Sequence, residues 1–173
     1  MRLQHIDAAF ALCANHKSAA EKAGLESFQL KEIEHYLLRS MVMLIVSHYE
    51  EQVQRMFVKR AEKCDDDEVQ SLVSALTDRR FRSPDLGKIN ETLKLLSPAY
   101  RDSFQNQIDK KQPQAKAAWE SLITARHAIV HKENSGAVAL TWSDLKVAYQ
   151  ESQRVLQALA NALGLTKKDV SQI

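Results

Sequence analysis

Glycine and proline are scarce, at four and three residues in a chain of 173, and no stretch alternates apolar with polar residues as a half-buried strand does. Ala, Leu, Glu, Gln and Lys are abundant instead, and these favour helix almost throughout. Cysteine is scarcer still. Cys13 and Cys64 lie far apart with no other Cys or His at metal-clip spacing, so they read as ordinary thiols of a reducing compartment, not as a disulfide framework or a zinc site. No run of about 18 apolar residues is present, and MRLQHIDAAF lacks the continuous apolar core of a signal peptide. A cytoplasmic location with no membrane partner is therefore expected. An excess of one charge is also missing: 24 Lys and Arg oppose 22 Asp and Glu, a net +2. Dedicated nucleic-acid binders usually carry a larger basic excess, so net charge permits such binding without arguing for it. Finally, there is no phosphate-binding Gly-rich loop, no nucleophile elbow and no CxxC, and no cofactor is implied.

What is present predicts an all-α, single-domain helical bundle covering residues 1–173, long enough to bury roughly 70% of its unfolded surface. A first helix from Leu3 to about Lys22 carries Ile6, Phe10 and Cys13 at helical spacing and is closed by Gly24. From about Glu26 to Lys63, apolar residues from Ile33 to Phe57 recur at three- and four-residue steps, which predicts one very long early helix. Its centre, Tyr36 to Val46, is apolar almost all round and calls for cover by other helices or by a second subunit. A short helix from Asp67 to about Thr77 follows, capped by Asp65, Asp66 or Asp67. Three proline-initiated helices come next, after Ser83-Pro84, Ser97-Pro98 and Gln112-Pro113. Lys132 to Leu140 reads as a polar loop. Thr141 and Asp144 have capping-box spacing, with Leu140 and Leu145 placed as a hydrophobic staple, and open a capped C-terminal helix to about Leu163. Thr166 with Asp169 caps a final stub.

Two stretches carry chemistry. On a wheel started at Ala115, the residues Ala118, Trp119, Leu122, Ile123, Ile129 and Val130 share an apolar arc, and Arg126 lies in its middle. A guanidinium cannot be deprotonated, so a buried one needs an anion, either a carboxylate of the fold or a phosphate ligand. Arg126 opens RHAIVH, which has the paired histidines of a zinc-protease helix but Ala128 in place of the general-base Glu. His127 and His131 have a metal-compatible i, i+4 spacing, yet no third ligand is indicated and no metal is assigned. The second stretch, RRFRSPD, is the densest basic cluster. Either Arg79, Arg80 and Arg82 hold phosphates while Phe81 stacks a base, or the segment is a solvated loop in which Ser83 caps and Pro84 opens the next helix.

Histidine and arginine without metal suit cleavage of RNA through its own 2′-hydroxyl. The substrate brings the nucleophile. Histidine moves protons near neutral pH, and Arg grips two phosphate oxygens in a fork. His131 lies near a helix C-terminus, where the dipole favours a cation. Arg126 and His131 nevertheless sit about 140° apart around the axis and about 7.5 Å along it. They do not face each other on a straight helix, so a composite site across a two-fold axis is expected.

Arg126, the polar His127, three further residues and His131, near the end of the penultimate helix after a long early helix, resemble the signature of the HEPN superfamily. The likeness is greatest to small stand-alone bacterial members of toxin–antitoxin or restriction-linked loci. It implies an all-helical, usually dimeric, metal-independent endoribonuclease acting on RNA, as a toxin held by an antitoxin or as a defence effector. Arg126 and His131 match the catalytic pair, and His127 stands at a position where Asn or Asp is commoner. Glu51 and Arg55 resemble an acidic-x-x-x-basic pair of some members, and equally read as an exposed i, i+4 ion pair. The other expectation is a non-catalytic helical module that binds a nucleotide or a partner protein.

Overall fold

The computed structural model describes residues 3–131 and 140–171, and these are all-α, with no strand among them. The helices are α1 (Gln4–Lys22), α2 (Ser27–Ala61), α3 (Asp67–Arg80), α4 (Leu86–Leu96), α5 (Pro98–Gln105), α6 (Pro113–His131), α7 (Trp142–Ala162) and α8 (Lys167–Ser171). The predicted polar loop at 132–139 lies outside the described residues.

Helix ends follow local chemistry. Gly24 sits at φ +70° after α1, a left-handed conformation that glycine adopts without a Cβ penalty. Asp66 accepts from the backbone N–H groups of Glu68 and Val69 at 2.9 and 3.1 Å and caps α3. The Thr141 and Asp144 side chains form the expected capping box of α7, and Asp169 accepts from the Thr166 N–H at 2.7 Å before α8. One cap differs from expectation. Asp85, not Ser83, caps α4, which starts at Leu86 and not at Pro84, and it accepts from the Lys88 N–H at 2.8 Å, which leaves the Ser83 hydroxyl for another partner. Sequence periodicity also gives no warning that α5 runs on into a π-helical stretch, Asn106–Lys111, where wider turns bury Ile108 beside Phe104.

The 35-residue α2 is the axis of the fold. Its buried Leu38, Met41, Val42, Ile45, Val46, Tyr49, Val53, Met56 and Phe57 meet α1, α3, α6 and α7 in one core. The predicted cover at its centre is incomplete within this chain, because Tyr36 is 64% exposed and Leu44 36%. Tyr49 stacks on Trp119 of α6, with centroids 4.6 Å apart and planes within 3°. Its hydroxyl lies 2.7 Å from Ser152 Oγ of α7, and burial raises its pKa above the usual phenol range, making it a weaker acid.

The same core holds the basic segment. Trp119 Nε1 donates to the Pro84 carbonyl at 2.8 Å, and Phe81 stacks on Phe57 at 5.1 Å. Phe81 is 2% exposed, so it cannot serve as a base-stacking platform. Its role is that of an anchor. A buried aromatic flanked by arginines drives the chain inward at one residue and leaves its neighbours at the surface, which fixes where Arg79, Arg80 and Arg82 project.

Candidate functional site

The anchored segment and the end of α6 meet in one open groove of about 520 Å³, lined by Arg79, Arg80, Arg82, Ser83, Lys88, Glu91, Arg126, His127 and His131. Five cationic side chains thus face one carboxylate, before either histidine is considered. A net charge of only +2 hid this concentration. The two stretches singled out from the sequence, more than forty residues apart, are brought together by the Trp119–Pro84 hydrogen bond and the Phe81 anchor.

Within the groove, Arg80 pairs with Glu91 at 2.5 Å and Lys88 with Asp85 at 3.2 Å. Arg79 and Arg82 are exposed and form no ion pair among the described residues. They are the cations best placed to meet an incoming phosphate, since neither must first release a carboxylate.

Arg126 is half-buried as the apolar arc requires, and it meets a carboxylate of the fold. Its Nη2 lies 3.4 Å from Glu50 Oε1 on α2, with the two side chains 20% and 23% exposed. The pair is loose. Glu50 Oε1 is buried without a hydrogen-bond partner, and a five-donor guanidinium has capacity left for phosphate oxygens. Burial holds the Glu50 carboxyl above its usual range, while Arg126 and Lys88 pull it partly back.

A group protonated more readily when folded contributes stability that fades as pH rises from its ordinary value to its folded one. Glu50→Gln is therefore expected to gain thermal stability relative to the parent as pH climbs past the ordinary carboxylate range, near about 4.3. Melting curves across that range check this, and a gap that narrows with rising pH contradicts it.

Sequence reasoning selected the neighbouring residue. Glu51 pairs with Arg55 at 2.5 Å, both side chains about half exposed, and faces His48 at 3.6 Å; neither Glu51 nor Arg55 lines the groove. A signal for Glu50 was present. Val46, Glu50, Val53 and Phe57 share one face of α2, and a carboxylate in that apolar row is the counterpart of an arginine in the apolar arc of α6.

The histidines occupy the open end of α6. His127 Nε2 lies 2.7 Å from the hydroxyl of Ser83, a residue only 6% exposed, so the oxygen freed from capping holds an imidazole in place. The His127 and His131 ring centroids are 6.2 Å apart. His131 is exposed at the last turn of the helix, and Arg39 of α2 donates to the Ile129 carbonyl at 3.5 Å, which steadies that turn. No group of three or more His, Cys, Asp or Glu suited to a metal occurs among the described residues. Nor is any described helix long and apolar enough to cross a membrane.

No curated protein and no solved structure matches the chain significantly. A family comparison is more informative: the model of the family described as RiboL-PSP-HEPN matches residues 11–164. That span takes in most of α1, the axial α2, the basic segment and the whole Arg126–His131 helix. With the all-helical architecture and an arginine and histidine sharing one groove at the end of α6, the match establishes that this chain belongs to the RiboL-PSP-HEPN family.

Proposed function

We propose that the protein is a metal-independent endoribonuclease that cleaves RNA by attack of the substrate's 2′-hydroxyl. The observation that carries this reading is the convergence of Arg126, His131 and the Arg79–Arg82 cluster on one open groove. Family membership supports it, since HEPN domains have RNase-like or nucleotide-related functions. In this reading Arg79 and Arg82 hold flanking phosphates. Arg126 turns from Glu50 to the scissile phosphate, and His131 transfers a proton. The proposal extends to a cytoplasmic toxin or defence effector, with an antitoxin as its partner.

On a regular helix Arg126 and His131 stand about 140° apart around the α6 axis, although both line the groove. Two copies that set their grooves face to face across a two-fold axis supply two of each around one phosphate. Mixing the inactive Arg126→Ala and His131→Ala proteins is then expected to restore part of the activity, because each mixed dimer keeps one of each group. Subunit exchange shown by labelled protomers, with no return of cleavage, counts against the shared site.

The Glu50–Arg126 pair favours a second reading, a non-catalytic module that binds a nucleotide or partner protein, because the arginine already has a carboxylate. Incubation of pure protein with unstructured RNA in excess chelator separates the two. The nuclease cleaves and loses cleavage in both single variants; the module binds and leaves every RNA intact.

A further inference from the structure

We propose that His127 is a second proton-transfer residue, so that cleavage runs on a pair of imidazoles, His127 and His131, both contributed by one copy of the chain. This rests on the ribonuclease reading of the groove and assigns within it the group that removes the 2′-hydroxyl proton. The reaction needs two proton transfers on opposite sides of one phosphorus, and a single imidazole in one protonation state serves only one of them.

The structure supplies two. At i and i+4 the histidines lie on one side of α6, both lining the groove, with centroids 6.2 Å apart. Each nitrogen must come within about 2.6–3.2 Å of its oxygen, so the linkage must bridge the two rings, its 2′-oxygen at one and its 5′-oxygen at the other. The roles are assigned with the tautomer in which His127, not Ser83, is the donor of their hydrogen bond. When His127 Nε2–H donates to the buried Ser83 Oγ at 2.7 Å, the lone pair resides on Nδ1, the form a base requires. His131 has no such anchor among the described residues and serves the leaving group as acid. An Asn at position 127 keeps a polar contact but accepts no proton at neutral pH.

In the step itself, the 2′-oxygen bonds to phosphorus as its proton passes to His127 Nδ1. The bond from phosphorus to the 5′-oxygen breaks as that oxygen takes the proton of His131. Arg126 holds the non-bridging oxygens. The products are a 2′,3′-cyclic phosphate and a 5′-hydroxyl, after which water removes the proton from His127 and returns one to His131. The charged groups facing the pair are Arg79, Arg80 and Arg82 from the α3 end and its following loop, Lys88 and Glu91 from α4, and Arg126 from α6 itself.

The test measures kcat and KM against pH, in chelator, for the parent, His127→Asn, Ser83→Ala and His131→Ala. Two substrates are compared: an RNA, and the same RNA with sulfur replacing the bridging 5′-oxygen, a leaving group that needs no acid. His127→Asn is expected to lower kcat by about 10²- to 10⁴-fold with little change in KM, and to lose the rise in rate on the acidic limb. Sulfur should rescue His131→Ala but not His127→Asn. Ser83→Ala, which keeps the imidazole and frees it, should lose less kcat and retain the acidic limb. Parent-like turnover by His127→Asn, or its rescue by sulfur, overturns the proposal while the nuclease reading stands. Failure of the parent to cleave RNA overturns both.

Discussion

Replacing Arg126 with Ala is expected to reduce RNA cleavage by at least about 10³-fold, the loss typical of removing a preorganised cation or donor that meets charge in the transition state. His131→Ala should lose about 10²- to 10⁴-fold, the usual range for general acid catalysis. The two variants differ in their structural consequences. His131 is exposed at a helix end, and its removal should leave the melting temperature nearly unchanged. Removing Arg126 leaves Glu50 with a buried oxygen and without its cation, so Arg126→Ala should also lose stability, by about 1–3 kcal/mol. Adding Glu50→Gln to it removes the stranded charge. The double variant is expected to regain stability and not activity, as measured by denaturant titration and RNA cleavage side by side. Activity returning along with stability would reduce Arg126 to a structural cation and remove it from the chemistry.

Trp119→Ala should be the most damaging substitution to the fold. Trp119 is fully buried, stacks on Tyr49 and donates to the Pro84 carbonyl. Truncating a buried aromatic of this size costs about 3–5 kcal/mol, here with a carbonyl left unsatisfied, so the melting temperature should fall by roughly 10 °C for a chain of this length. Trp119→Phe separates packing from positioning. It preserves most of the stack and loses only the donor, so a smaller stability loss should accompany a clear drop in RNA affinity as the Arg79–Arg82 segment shifts. Unchanged affinity in Trp119→Phe would show that the segment is held by Phe81 alone.

Much of the helical framework was legible because local chemistry sets helix ends. Gly24, Asp66, Thr141 with Asp144, and Thr166 with Asp169 all act where their residue types and spacings point. Arg126 stood out for a similar reason, as a permanent charge in an apolar arc. What escaped sequence reasoning depends on long-range packing. Phe81 between arginines has the same pattern whether it stacks a base or turns inward, and only the presence of Phe57 on α2 decides for the core. Ser83 and Asp85 are both acceptable caps for a helix near Pro84; Asp85 takes the position, and Ser83 is released to His127. Glu50 and Glu51 are neighbours of identical chemistry, and the facing element selects one for Arg126 and leaves the other in solvent. The π-helical stretch after α5 has no marker in residue type at all.

The groove concentrates cationic side chains that the net charge of +2 averages out. In the proposed nuclease, Arg79 and Arg82, unpaired among the described residues, supply phosphate contacts whose counterion release makes binding salt-dependent, whereas Arg80 and Lys88 are already engaged by Glu91 and Asp85. On this view the basic segment sets affinity and register, and the end of α6 carries out the reaction.

The most direct measurement is the chemistry of the ends left when the parent protein is incubated with RNA in excess chelator. Attack by the 2′-hydroxyl predicts fragments with 2′,3′-cyclic phosphate and 5′-hydroxyl ends. Fragments with 3′-hydroxyl and 5′-phosphate ends, or RNA that stays intact while still bound, would contradict it.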